Sequence, residues 1–292
     1  MRTLLIASLV AAAVGAAACG SSSDDTSSGS ASGAASTAAA KPAAAACDKA
    51  SLPLKSSGTL TVGTDKPAYP PYFEDDKPTN GKGFESAVAY AVAKQLGFAA
   101  NEVKWIVVPF NNSYAPGAKK FDFDINQISI SPKRAERVDF STPYFAAPQA
   151  VVATKGSAAA GATSLADLAK AKLGVQVGTT SLDSVNASIK PSSQPQVFND
   201  SNDTVRALKV KRVDAIVTDL PTAFYLTAAQ VPNSKIVGQF QAPGGDQWGL
   251  LLEKGSKLTT CVNQALDKLS KAGELERLQK QWMGGDAAPE LH

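Results

Sequence analysis

Histidine is all but missing from this chain: its one copy is the last residue, His292. That excludes Ser-His and Cys-His nucleophilic pairs and His-rich metal sites, and leaves carboxylate chemistry open. Charge of one sign is also scarce. The formal net charge is +3 and no dense Lys/Arg block occurs, so a nucleic-acid role has little support. Cysteine is limited to Cys19, Cys47 and Cys261. Metal binding by the last two without histidine is not expected, and neither is a cofactor. Long apolar runs are lacking apart from Leu4 to Ala18, which is too short to span a bilayer comfortably. What remains is an ordinary globular composition, 44% hydrophobic and 19% charged in 292 residues. Once the N-terminal segments are set aside, about 240 residues are left, enough for one large α/β unit or two small lobes.

Residues 1–18 read as an export signal, with Arg2 ahead of the apolar stretch. The stretch ends Ala16-Ala17-Ala18-Cys19-Gly20, which resembles a bacterial lipoprotein cleavage site with Cys19 as the lipidated residue. Ala16 departs from that motif, which more often has Leu there; a plain secretory signal is the alternative. Residues 20–46 are a Ser/Gly/Ala/Asp tract without an apolar period, unable to form a core. A flexible chain of that length averages roughly 30 Å end to end, fitting a tether. The lipidated Cys and tether are assigned to 19–55. An exported compartment permits disulfides, so Cys47 and Cys261 are a candidate bridge, with two unpaired thiols as the alternative.

From Leu60 onward, short β-type runs alternate with helical ones. Leu60 to Thr64 reads as a strand, and Phe84, Val88, Ala91 and Val92 keep helical spacing between Gly83 and Gly97. Strands are expected at Val103–Val108 and Phe123–Ile130, then a helix at Pro132 capped by Ser131. Further strands are expected at Gln149–Thr154, Leu173–Val177, Ala215–Thr218 and Trp248–Leu252, with helical runs between them and two helices at the end. Such alternation argues for largely parallel sheets, with ligands at the carboxyl ends of the strands.

Five segments in order, GTDKPAYPPYF (63–73), GKGFESAVAYAVAKQLGF (81–98), FDFDINQISISPKRAERVDFSTPYF (121–145), LGVQVGTTSLD (173–183) and VDAIVTDLP (213–221), resemble family-3 periplasmic solute-binding proteins. These are the polar amino-acid receptors of ABC importers. The resemblance covers about residues 58–285. It implies an α/β, periplasmic-binding-protein type II fold: two mainly parallel sheets flanked by helices, in two lobes joined by two hinge strands. Lobe 1 would be 56–147 plus 244–285, lobe 2 would be 148–243, and 286–292 a tail. The ligand would lie between the lobes, which close on it.

A free amino acid carries a carboxylate and an ammonium side by side, so a dry cleft needs a fixed cation and a fixed anion. Arg134, just after the Ser131-Pro132 helix start, has a planar fork that suits a carboxylate. Asp219, where a β run stops, is the natural ammonium partner, though it would serve equally as a helix cap. Thr179 and Thr180 follow Gly178 at a strand-to-helix turn and are candidates to hold the carboxylate from the second lobe. The resemblance places Ser129 at a ligand-contacting hydroxyl position. It places Gln127 where Gly or Ser is usual, with a main-chain contact to the ammonium. It also places Tyr69 and Phe110 at the aromatic positions that sandwich the ligand side chain, and Asp65 at its distal polar end.

Departures from the pattern are Ser86-Ala87 after Gly83-Phe84-Glu85, and polar Asp124, Asn126 and Gln127 in a strand usually apolar. The expected function is a non-enzymatic, extracytoplasmic binding subunit, monomeric, anchored by lipid and delivering a polar amino acid to an ABC permease. Alternatives are a ligand-sensing module and an enzyme such as a dehydratase of this fold, for which Asp124 and Glu74 are the available acids. Asp65, Asp124 and the two aromatics lean toward a cationic or amide-bearing ligand.

Overall fold

The computed structural model describes residues 47–284 and 288–292. The export signal, Cys19 and tract 20–46 lie outside the described residues. Strands β1 (Leu60–Thr64), β2 (Val103–Val107) and β3 (Phe123–Asp124) precede β4 (Val138–Ala146), β5 (Gln149–Thr154), β6 (Leu173–Gln176) and β7 (Gln196–Phe198). Then come β8 (Ala215–Asp219), β9 (Ser234–Phe240) and β10 (Gln247–Glu253). Helices are α1 (Phe84–Gln95), α2 (Phe110–Ser113), α3 (Pro132–Ala135), α4 (Thr180–Ser184), α5 (Ser201–Lys209), α6 (Leu220–Tyr225), α7 (Thr259–Lys271) and α8 (Glu274–Trp282). No helix among the described residues is long and apolar enough to cross a membrane.

Two five-stranded sheets result, ordered β2-β1-β3-β10-β4 and β7-β6-β8-β5-β9. Each centres one lobe. In β1 all five residues are buried, as expected of a strand covered on both faces. In β5 the alternation is visible residue by residue: Val151 and Ala153 enter one core cluster, Ala150 and Val152 the cluster on the opposite face. In the first lobe Val88, Ala89 and Val92 of α1 pack with Val262, Leu266 and Leu278 of α7 and α8 over the sheet.

The sheets are mixed, not mainly parallel. β1 pairs in parallel with β2 and β3, and β6 with β7 and β8, but β10 and β5 run antiparallel to both of their neighbours. The reason is the chain's route. It passes from the first lobe to the second between β4 and β5, and returns between β9 and β10. The first strand after each passage, β5 in the second sheet and β10 in the first, runs against both of its neighbours.

Local differences follow physical causes. The strand expected to reach Ile130 stops at Asp124, because Gln127 adopts a left-handed conformation (φ 47°) and turns the chain out of the ladder. β4, β7 and β9 escape the sequence pattern: β7 is only three residues long, and β4 carries Pro143 and shifts register against Gly249 of β10, so no period survives in it. Residues 47–55, placed in the tether, instead pack on the first lobe. Leu52 is buried in its core, the Lys55 N–H donates to Asp122 Oδ1 at 2.7 Å, and Cys47 is disulfide-bonded to Cys261 of α7. The end of the expected tail is also docked. Residues 288–292 run parallel to β9, with Gln239 N–H donating to the Pro289 carbonyl (2.7 Å) and Leu291 N–H to that of Gln239 (2.8 Å). Leu291 is buried in the second lobe's core.

Candidate functional site

A cleft of about 530 Å³ opens between the lobes, lined from both sides by segments at the carboxyl ends of strands. All nine residues singled out for ligand contact line it: Asp65, Tyr69, Phe110, Gln127, Ser129, Arg134, Thr179, Thr180 and Asp219. Asp124 and Glu74, the acids considered for catalysis, do not belong to the lining.

Arg134 stands on the one-turn helix α3, whose cap Ser131 accepts the Arg134 N–H at 3.3 Å. Its guanidinium is buried and donates to two carbonyls, Ser129 of its own lobe (2.7 Å) and Gly178 of the other (2.8 Å). The rings of Tyr114 and Phe110 lie 4.9 and 5.5 Å from its central carbon. Burial pulls its pKa down, with Tyr114 and nearby acids opposing. Two of five N–H donors are thus spent on neutral oxygens, and the cation keeps donors for an anion.

Across the cleft, Asp219 begins α6 without capping it; its Oδ1 accepts from Gln149 Nε2 at 2.8 Å. Gln149, wholly buried at the start of β5, is saturated. Its second amide hydrogen goes to Asp246 Oδ2 (2.8 Å) and its oxygen accepts from Ser181 (2.6 Å). Asp246 sits just before β10, so one amide joins the two interlobe passages. Thr180 Oγ1 also donates to Asp246 Oδ2 (2.8 Å), which leaves Ser129 Oγ the donor in its 3.1 Å contact with Thr180. Burial first, and then Asp246, raise the Asp219 pKa, so a cation beside it relieves both. The Thr179 hydroxyl is committed to its own turn, donating to the Gln176 carbonyl (2.8 Å) and accepting the Leu182 N–H (3.3 Å). Only Thr180 of this pair offers a hydroxyl that reaches the first lobe.

At the far end Asp65 accepts the N–H groups of Lys66 (2.7 Å) and Phe110 (3.1 Å) and lines the cleft with Asp200, the cap of α5. Burial raises the Asp65 pKa, and Asp200 adds to the effect. The Tyr69 hydroxyl donates to Asn202 of the second lobe, and its ring lies 6.2 Å from that of Tyr225. Tyr72 meets Thr222 at 2.8 Å. With Arg134–Gly178 and Ser129–Thr180, these contacts show the lobes closed on one another.

Beneath the floor, Glu85 is wholly buried and accepts three hydrogen bonds, from the main-chain N–H (2.7 Å) and side chain of Gln127 and from the Tyr144 hydroxyl. Burial lifts its pKa to about 7 against those donors. Asp124 is buried under Gly63 with neither carboxyl oxygen hydrogen-bonded, and burial raises its pKa well above the usual range. Sequence reasoning missed Gln149, Asp246, Asn202, Asp200 and the acceptor role of Gly178. The one local signal was Gly178-Thr179-Thr180 itself; the others meet only after the chain has crossed between lobes.

A family model described as bacterial extracellular solute-binding proteins, family 3, matches residues 60–285. The chain is 31% identical over 239 residues to the L-cystine-binding protein TcyJ of Escherichia coli (strain K12), covering 80% of this chain and 85% of that one. It is 29% identical over 231 residues to the arginine-binding extracellular protein ArtP of Bacillus subtilis (strain 168), covering 78% and 87% respectively. Among solved structures, an ancestral arginine-binding protein bound to glutamine matches with a TM-score of 0.66 and 34% identity, over 78% of this chain and 99% of that chain.

Proposed function

Because this chain belongs to the bacterial extracellular solute-binding proteins of family 3, we propose that it captures a free amino acid in the interlobe cleft and delivers it to an ABC permease. The observation that carries this is the pairing of Arg134, from the first lobe, with Asp219, from the second, on the walls of one cleft. The guanidinium takes the ligand carboxylate and Asp219 the ammonium. Ser129 and Thr180 close the rim from either side. Binding then favours the closed arrangement because each charged end of the ligand is held by a different lobe. The protein acts by binding, not turnover.

The side-chain end of the ligand faces Asp65, Asp200, Tyr69 and Phe110. Two acids there favour a side chain that is cationic or rich in N–H donors; the relatives are named for cystine and arginine. Outside the described residues, the Ala16-Ala17-Ala18-Cys19 motif and residues 20–46 support a lipid-anchored, tethered receptor held beside its permease.

A thermal-shift screen of the purified protein against the twenty amino acids and L-cystine tests the reading. At a ligand concentration a hundred times Kd, the stabilisation is about 2.7 kcal/mol, a shift of several degrees. No shift with any of them overturns it.

A further inference from the structure

Gln127 is one of few non-glycine residues with positive φ (47°), and it lies on the cleft lining. Its flanks are fixed. The Ile125 N–H donates to the Gly63 carbonyl (3.0 Å), the Ile128 carbonyl accepts from Gly249 (3.1 Å), and Ile130 donates to Gln247 (2.8 Å). From Asp124, opposite Leu251, to Ser129, opposite Trp248, the chain takes five steps where β10 takes three, and the left-handed conformation that absorbs the difference is unfavourable for a side-chain-bearing residue. Strain of this kind persists only where the surroundings over-determine it. Here the determinant is Glu85, forty-two residues earlier on α1. One of its oxygens takes the Gln127 N–H and the other its side-chain amide, with the Tyr144 hydroxyl on the first.

We infer that Glu85 is a positioning residue for the cleft, clamping Gln127 in its left-handed conformation and so fixing the floor segment 127–129 that leads to Arg134. Glu85 touches no ligand, since it lies under the floor and outside the lining. Its effect passes through Gln127 to Ser129, whose carbonyl holds Arg134 Nη1 at 2.7 Å. The clamp suits this chain because a glutamine occupies the turn. A glycine there would adopt positive φ unaided, and the carboxylate would then be dispensable for the geometry.

The inference rests on the amino-acid-binding reading, and its test separates the two. Affinity for whichever of the twenty amino acids or L-cystine binds the wild type is measured for full-chain Glu85→Ala, Gln127→Gly and the double variant. Glu85→Ala is expected to weaken binding about tenfold or more, and Gln127→Gly in that background to restore affinity to within about threefold of the Gln127→Gly protein. A purely structural role for Glu85 leaves the double variant as weak as Glu85→Ala, which overturns the inference. Should Glu85→Ala fold poorly, Glu85→Gln is measured in its place with the same rescue. A crystal structure of either variant gives a ligand-free readout: residue 127 relaxed to negative φ supports the clamp, retained positive φ overturns it. If the wild type binds none of these ligands, the functional reading itself fails, while the crystallographic arm still decides the clamp.

Discussion

The guanidinium of Arg134 reaches across the cleft to the Gly178 carbonyl, 2.8 Å away, so the residue proposed to take the ligand carboxylate also joins the lobes. Truncating it removes a charge-assisted contact to the ligand and a link that favours closure. Arg134→Ala is expected to lose about 3 kcal/mol of binding, roughly a hundredfold in Kd by calorimetry. Arg134→Lys keeps the charge but not the fork, and should recover only part.

Gly178 has φ 74°, and a Cβ there would run into the Tyr114 hydroxyl and come within 2.7 Å of Asn111 Oδ1, both on the opposite lobe. Gly178→Ala therefore penalises the closed arrangement more than the open one. The expected outcome is weaker ligand affinity and, at a ligand concentration that saturates the wild type, a larger radius of gyration for Gly178→Ala than for the wild type by small-angle scattering.

Glu85 makes stability depend on pH with a definite sign. Its pKa is raised to about 7 from 4.5 by burial, so the folded state keeps a proton that the unfolded state has lost. Its contribution is complete below 4.5 and is lost as pH rises through about 7. The groups facing it are Tyr144, Tyr72, Asp124, Asp219 and Gln127. The stability of the wild type relative to Glu85→Gln should fall by about 3 kcal/mol between pH 4.5 and 8 in chemical denaturation. A flat difference contradicts the assignment.

The docked C-terminus gives a further prediction. Gly238 lets the tail approach β9: a Cβ there would lie 2.6 Å from Leu291 Cγ and 2.7 Å from the Pro289 carbonyl. Leu291→Ala should cost about 2–3 kcal/mol, as for other buried leucines. Gly238→Ala should release the tail and cost a similar amount, measured by urea denaturation.

Much of this geometry was legible in the sequence, and the limits have physical causes. Of the nine expected residues that line the cleft, Arg134, Asp219, Thr179 and Thr180 could be picked out from strand ends and helix starts, while Asp65, Tyr69, Phe110, Gln127 and Ser129 were placed by the family resemblance. Arg134 was recognisable from Ser131-Pro132, a local helix start. The partners that orient them were not. Gln149 and Asp246 are ninety-seven residues apart and meet because the chain crosses twice between lobes, a relationship with no local pattern. Glu85 stood out in the sequence only as part of Gly83-Phe84-Glu85; its role depends on the left-handed conformation of Gln127, which falls inside an expected strand. β4, with a proline and a register shift, carries no period to read.

The most direct measurement is calorimetric titration of the protein with its best-binding amino acid, with that amino acid's α-carboxamide, and with its Nα-acetyl derivative. Removing the carboxylate charge should disable the contact with Arg134, and removing the ammonium charge the contact with Asp219. Each derivative is predicted to bind about a hundredfold or more weakly. Either derivative binding as tightly as the parent contradicts a cleft that reads both charges.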